Sequence, residues 1–198
     1  MITLQDVRSN EDIAGLIDAT NQALEVLGYT EHGLRHVGYV SHTAEQILRE
    51  LGYPERRCQL AAIAGWVHDV GNSINRHNHG ITGGALLFPI LRGMGMPVEE
   101  VTTICTAVGN HEEQNGLPVS DVSSALIIAD KSDAHRTRVR KKHFNLDDIH
   151  DRVNYAIKLN WLEVDKPRRV IRYEIAMDQS SSVMEFMQIY LTRMRMSE

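Results

Sequence analysis

The sequence predicts a mainly α-helical fold that closes with a small β-hairpin and a final helix. Two observations carry that expectation. Up to about residue 150, apolar residues recur at helical spacing between glycine and proline stops. Beyond it, two β-type runs flank a turn and precede one last helical stretch. With 198 residues, 42% of them hydrophobic, the chain is long enough for a single domain over 1–198 with a sizeable core.

The first helix is expected at 10–27, where Ile13, Leu16, Ile17, Leu24 and Leu27 share a face and Gly28 ends the pattern. A second, at 31–51, carries Leu34, Val37, Val40, Ala44, Ile47, Leu48 and Leu51 and stops at Gly52. "ERRCQLAAIAGWVHDV" is apolar almost all round, as a central helix should be, and ends at Gly71. After the polar loop "NSINRHNHG" comes "ITGGALLFPILRGMG", with Pro89 as a candidate kink. "PVEEVTTICTAVGNHEE" opens on Pro97 and two acids, and "SDVSSALIIADKSDAH" on Ser120 or Asp121 as cap. "VNYAIKLNWLEV" and "RVIRYEIAM" read as strands around "DKPR", and "SSVMEFMQIYLTRMRM" as the closing helix.

Composition narrows the function classes. A formal charge of −5 makes nucleic acid an unlikely partner. Cys58 and Cys105 lie far apart without a CxxC pattern and read as reduced core residues. "MITLQDVRSNED" is no signal peptide, and "LAAIAGWV" is too short to cross a bilayer, so a cytoplasmic location without a membrane partner is expected. The run "RTRVRKK", 136–142, could attract a polyphosphate or RNA but reads better as a solvated helix face. The methionine-rich end could pack on its own core or on a second copy, which leaves a homodimer open.

The chemistry lies in ten histidines and their placement. In "GWVHDVGN" an apolar helix ends in His68 and Asp69, and burying that carboxylate costs several kcal/mol unless something compensates. On the second helix His36 falls about 70° from the apolar centre, His32 about 110°, and His42 nearly opposite. His111 extends the inward stripe of Ile104 and Val108, and Asp130 shares a face with Val122, Leu126 and Ala129. An ion pair with Lys131 or Arg136 is the rival account of Asp130, and a half-buried packed ring is that of His36. Of His77 and His79, the latter opens the next helix and is preferred as a ligand, while His32, His42, His135, His143 and His150 are expected at the surface. Several helices each bringing one His or Asp inward point to a shared ion.

The order His36, His68-Asp69, His79, His111, Asp130, together with "GWVHDVGN" and "ALIIADKSD", resembles the HD superfamily of metal-dependent phosphohydrolases over roughly 30–136. The resemblance implies a compact HD-domain helical bundle, with the hairpin and helix of about 150–196 outside its chemistry. It places one divalent cation on His36, His68, Asp69 and Asp130. A second would fall on His79 and His111, with Asp69 bridging a dinuclear site of Fe, Mn, Zn, Mg or Ni. The longer cyclic-dinucleotide signature is missing, since Asn110 precedes His111 and the loop reads "NGLP".

The implied activity is hydrolysis of a phosphate ester, in a nucleotide or other small phosphorylated molecule, by a hydroxide bridging the ions. Asp69, Lys131 and Arg76 are the candidate catalytic residues, the two cations as phosphate contacts or as ordinary solvated charges. His77 and Glu112 are the candidate proton donors, and loops 72–80 and 112–120 the candidate pocket walls. An HD-type di-iron oxygenase and a nucleotide-sensing module without turnover are the alternatives.

Overall fold

The computed structural model describes residues 1–140, 142 and 144–198. Lys141, in the basic run, and His143 lie outside the described residues. The helices are α1 (Leu4–Arg8), α2 (Glu11–Val26), α3 (Leu34–Leu51), α4 (Glu55–Val67), α5 (His79–Gly93), α6 (Val98–Gly109), α7 (Asp121–Lys131), α8 (Ile149–Ala156) and α9 (Val183–Ser197). Tight 3-10 turns occupy Val70–Ser73 and Arg136–Arg138, and β1 (Ile157–Asp165) pairs antiparallel with β2 (Val170–Met177). Their register runs from Asp165 opposite Val170 to Ile157 opposite Met177, with an irregularity between Ile157 and Leu159.

α4 is the axis of the bundle. Every residue from Leu60 to Val67 is buried, as its lack of a polar face predicts. α3, α6 and α7 pack around it, α5 lies on α6, and the Val70–Ser73 turn is held between α2 and α5. α3 and α4 approach at backbone contact: a Cβ on Gly65 would lie 2.7 Å from both the N and the Cα of Ser41. The Ser41 hydroxyl donates to the Ala62 carbonyl at 2.7 Å across the same crossing.

A second, smaller cluster joins Ala134, Val153, Ile157, Phe186 and Tyr190. It is reached by α9, whose Ser182–Glu185 capping box starts the helix and whose Tyr190 hydroxyl donates to Asn154 Oδ1 at 2.9 Å. The hairpin buries Leu162 in the main core and is tied to the bundle at Ser132. The Tyr173 hydroxyl and the Asn160 side-chain amide both donate to the Ser132 carbonyl, at 2.6 and 2.8 Å.

Four sequence expectations need correction. "VNYA", read as strand, is the last turn of α8; Asp148 caps that helix, and Val153 and Ala156 face the core at the i, i+3 spacing of a helix. α7 stops at Lys131, four residues early, with Ser132 as its cap and the next N–H, that of Asp133, tightened onto the Asp130 carbonyl. Residues 136–140 form no solvated helix face: Arg138 is buried, and Arg140 donates to the Tyr29 carbonyl and to Asn21. The short α1, capped by Thr3, was not anticipated. Among the described residues no helix is long and apolar enough to cross a membrane.

Gly65→Ala should lower the melting temperature in a circular-dichroism scan, the overpacking cost being about 1–3 kcal/mol. Gly15→Ala, in α2 with nothing within 4 Å of its added Cβ, should raise it, by up to about 1 kcal/mol of helix propensity. Equal shifts at both positions would contradict the backbone crossing.

Candidate metal centre

Four helix ends and one helix face meet at a single point. α3 presents His36 from its buried side; α4 ends at His68, and Asp69 follows as the chain enters the tight turn. Gly71 lets that turn press against α5, since a Cβ there would lie 1.9 Å from the His79 carbonyl oxygen. His79 opens α5, His111 follows the end of α6, and Asp130 is the penultimate residue of α7.

The atoms divide into two sets about Asp69. Its Oδ2 lies 3.5 Å from His36 Nε2 and 3.4 Å from His68 Nε2, and these two nitrogens are 3.2 Å apart. Asp130 Oδ1 closes this set at 3.4 and 3.6 Å from the same nitrogens. Asp69 Oδ1 lies 3.2 Å from His79 Nε2 and 3.8 Å from His111 Nε2, themselves 3.0 Å apart.

All four rings use Nδ1 on the outer side. His68 Nδ1 donates to the Gly65 carbonyl at 2.9 Å, His79 Nδ1 to that of Arg76 at 3.0 Å, and His111 Nδ1 to that of Val108 at 2.6 Å. His36 Nδ1 donates to Asp133 Oδ2 at 2.6 Å. A carbonyl or carboxylate oxygen can only accept, so these bonds assign the proton to Nδ1 and leave each Nε2 lone pair pointing inward. Paired lone pairs about 3 Å apart repel unless a proton or cation lies between them. Two ligand atoms each about 2.1 Å from a cation, at angles of 90–110°, stand about 3.0–3.4 Å apart. The donor set therefore fits cations on both sides of Asp69.

The electrostatics agree. Burial alone would raise the Asp69 carboxyl, yet the neighbouring His68 and the close imidazoles of His111, His36 and His79 hold it well below the carboxylate range. Asp130 is held down likewise against its burial, by Lys131, His36 and His68. Burial and Arg138 would depress the His36 pKa, but Asp130, Asp133 and Asp69 raise it to about 10. The cluster thus demands positive charge, which a proton on His36 supplies when no metal does. Burial lowers the His111 pKa, keeping that ring neutral.

A small cleft of about 30 Å³ opens onto the cluster and is lined in part by Asp69, Asp130, His79 and His111. Lys131 and Arg76 also line it, so neither is an ordinary solvated charge. Lys131 Nζ lies 2.6 Å from Asp130 Oδ2 and 3.1 Å from Glu113 Oε1, while Arg136 pairs instead with Asp178. Asp130 thus shares itself between the cluster and the ion pair that rivalled it as an explanation. His77 is exposed and outside the cleft, and Glu112 is engaged at the start of α5, accepting from the Gly80 N–H at 2.5 Å. His42 and His150 are exposed and His135 half-buried, but His32 is buried against the site. Its ring meets His36 edge-on at 5.2 Å, its Nδ1 donates to the Thr30 carbonyl, and its Nε2 accepts from Arg138.

Sequence reasoning missed Asp133, Arg138, Glu113 and Arg193. Asp133 is fully buried, orients His36, and also meets Arg35 and Arg138. Its signal was the second acid three residues after Asp130 in "ADKSD". Arg193 carries α9 into the cleft lining, so the C-terminal segment does take part in the site, a fact that no spacing in the sequence announces.

No protein-family model and no curated protein matches the chain. The fold does match a solved structure, that of a predicted HD superfamily hydrolase from an uncultured Thermotogales bacterium. The TM-score is 0.51 and the identity 19%, over 68% of this chain and 75% of that one. The likeness is one of fold alone, that of a helical bundle, which in this chain includes a hairpin and a closing helix.

Asp133→Asn, which removes the charge orienting His36, should weaken Mn²⁺ or Fe²⁺ binding by roughly 10–100-fold in a chelator-competition titration. Wild-type affinity in a folded Asp133→Asn protein would contradict that role.

Proposed function

We propose that this chain is a metal-dependent phosphohydrolase acting on a small phosphorylated molecule. The observation that carries the reading is Asp69, whose two oxygens face separate imidazole pairs at the floor of a cationic cleft. In this reading His36, His68, Asp69 and Asp130 hold one divalent cation, and Asp69, His79 and His111 hold a second. Bound cations supply an ionised water as nucleophile and neutralise charge on phosphoryl oxygens.

The residues of the chain do the rest. Arg76 and Lys131, both in the cleft lining, bind and orient the phosphoryl oxygens, the arginine with the better geometry for two of them. Lys131 is held by Asp130 and Glu113, so its ammonium is fixed before substrate arrives. Asp133 and the three backbone carbonyls keep every Nε2 turned inward, and Glu112 holds the first turn of α5 that carries His79. The tight packing around α4 keeps bulk water from all but the open side of the cleft.

Elemental analysis of tag-free protein, run beside an assay of phosphate-ester hydrolysis, tests this. About two cations per chain are expected, lower in Asp69→Ala and His111→Ala, with hydrolysis reduced roughly 100-fold or more in both. Folded protein that neither retains nor regains metal with Mn²⁺, Fe²⁺ or Zn²⁺ would overturn the reading. Bound iron with turnover only in dioxygen would replace hydrolysis by oxidation.

A further inference from the structure

The cleft is not the whole of the binding surface. His32, Arg76, Arg138 and Arg193 line it and also line a pocket of about 240 Å³ beside it, walled by the turn at Tyr29, by α8 and by α9. That volume is just under the ~300–1,000 Å³ of typical small-molecule sites, so the pocket suits one compact group.

The charges around it are unequally matched. Lys131 is neutralised by Asp130 and Glu113, and buried Arg138 faces Asp133. Arg76 forms no ion pair among the described residues; its contacts are the Asn72 side-chain oxygen at 3.1 Å and the His79 ring. Arg193, its side chain 31% exposed, has only Glu113 at 3.7 Å, an acid that Lys131 already engages more closely. Asp148, the carboxylate of the described lining, is committed to the cap of α8 through the His150 N–H at 2.7 Å.

Both arginines are also held in place. The Arg76 Cζ lies over the Tyr29 ring, 5.3 Å from its centroid, and the Arg193 Cζ over the Tyr190 ring at 4.9 Å, and both tyrosines line the pocket. A guanidinium held over a ring in this way is restrained by the ring's negative face and still has N–H groups for a ligand, and its planar fork suits a phosphate.

We propose that this pocket seats a second phosphoryl group of the substrate against Arg193, with Arg76, which lines both the cleft and the pocket, shared between it and the phosphoryl group presented to the metal cluster. The substrate class is then a small molecule carrying two phosphates, either joined as a diphosphate or separated on one carbon skeleton. The inference rests on the phosphohydrolase reading and adds α9 as the element that selects the substrate.

Calorimetric titration of the metal-loaded protein with methylphosphonate, methylenebisphosphonate and propane-1,3-bisphosphonate tests it, since P–C bonds resist hydrolysis. At least one bisphosphonate should bind about 10-fold more tightly than methylphosphonate, the worth of one charged hydrogen-bonded contact. The ratio should fall to about one in Arg193→Gln, with metal content unchanged, and Arg193→Lys should keep part of it. Preference for the methylene compound would indicate joined phosphates, and for the propane compound separated ones. Chelation of the ions alone would give a preference that survives Arg193→Gln, and that result overturns the proposal. A ratio near one in the wild type, with monoester hydrolysis intact, overturns it too and leaves the hydrolase reading standing. A preference abolished by Arg193→Gln in a protein that hydrolyses no phosphate ester supports the pocket and overturns the hydrolase reading instead.

Discussion

A carboxylate buried among four imidazoles is the constraint on which the rest of this structure depends. Asp69 is almost wholly removed from water, yet ionised, so everything around it has to supply positive charge or point a donor toward it. That requirement explains why α3, α4, α5, α6 and α7 all converge there, each ending or turning so that a nitrogen or an oxygen faces the centre. It also explains the glycines of "GWVHDVG". Gly65 lets α3 bring His36 down to His68, and Gly71 lets α5 bring His79 to Asp69.

Outside the inner ring lies a second layer that fixes the first. Asp133 ties His36 to two arginines, and backbone carbonyls hold the other three rings in one tautomer. The stretch that follows α7 is braced from the hairpin, since Tyr173 and Asn160 both hold the Ser132 carbonyl beside Asp133. The C-terminal unit is thus coupled to the centre twice, through this brace and through Arg193 of α9. Chemistry at such a site depends on geometry held to a fraction of an ångström, and these outer contacts are what hold it.

The helical core was legible because each helix repeats one period and its stops are glycines or prolines. The convergence of His36, His68, Asp69, His79, His111 and Asp130 was legible too, since each sits on an inward face or at a helix end whose direction the apolar stripe sets. What was not legible depended on contacts between distant segments. His32 looked exposed by its angle on the helix expected at 31–51, but it lies ahead of α3 and is buried with Arg138 folded back against it. Arg138 and Arg140 read as a solvated run because their partners lie more than 100 residues away, at Glu31 and Asn21. "VNYA" runs straight into β1, and a cap at Asp148 decided for helix.

The central claim is that Asp69 lies between two cations. Crystals of the protein grown with Mn²⁺ or Fe²⁺, measured at the metal absorption edge, test it directly. The account predicts two anomalous peaks about 3.5–4 Å apart on opposite sides of the Asp69 carboxylate, one bounded by His36, His68 and Asp130 and the other by His79 and His111. A fully loaded crystal with one peak away from Asp69, or with none among these six side chains, would contradict it.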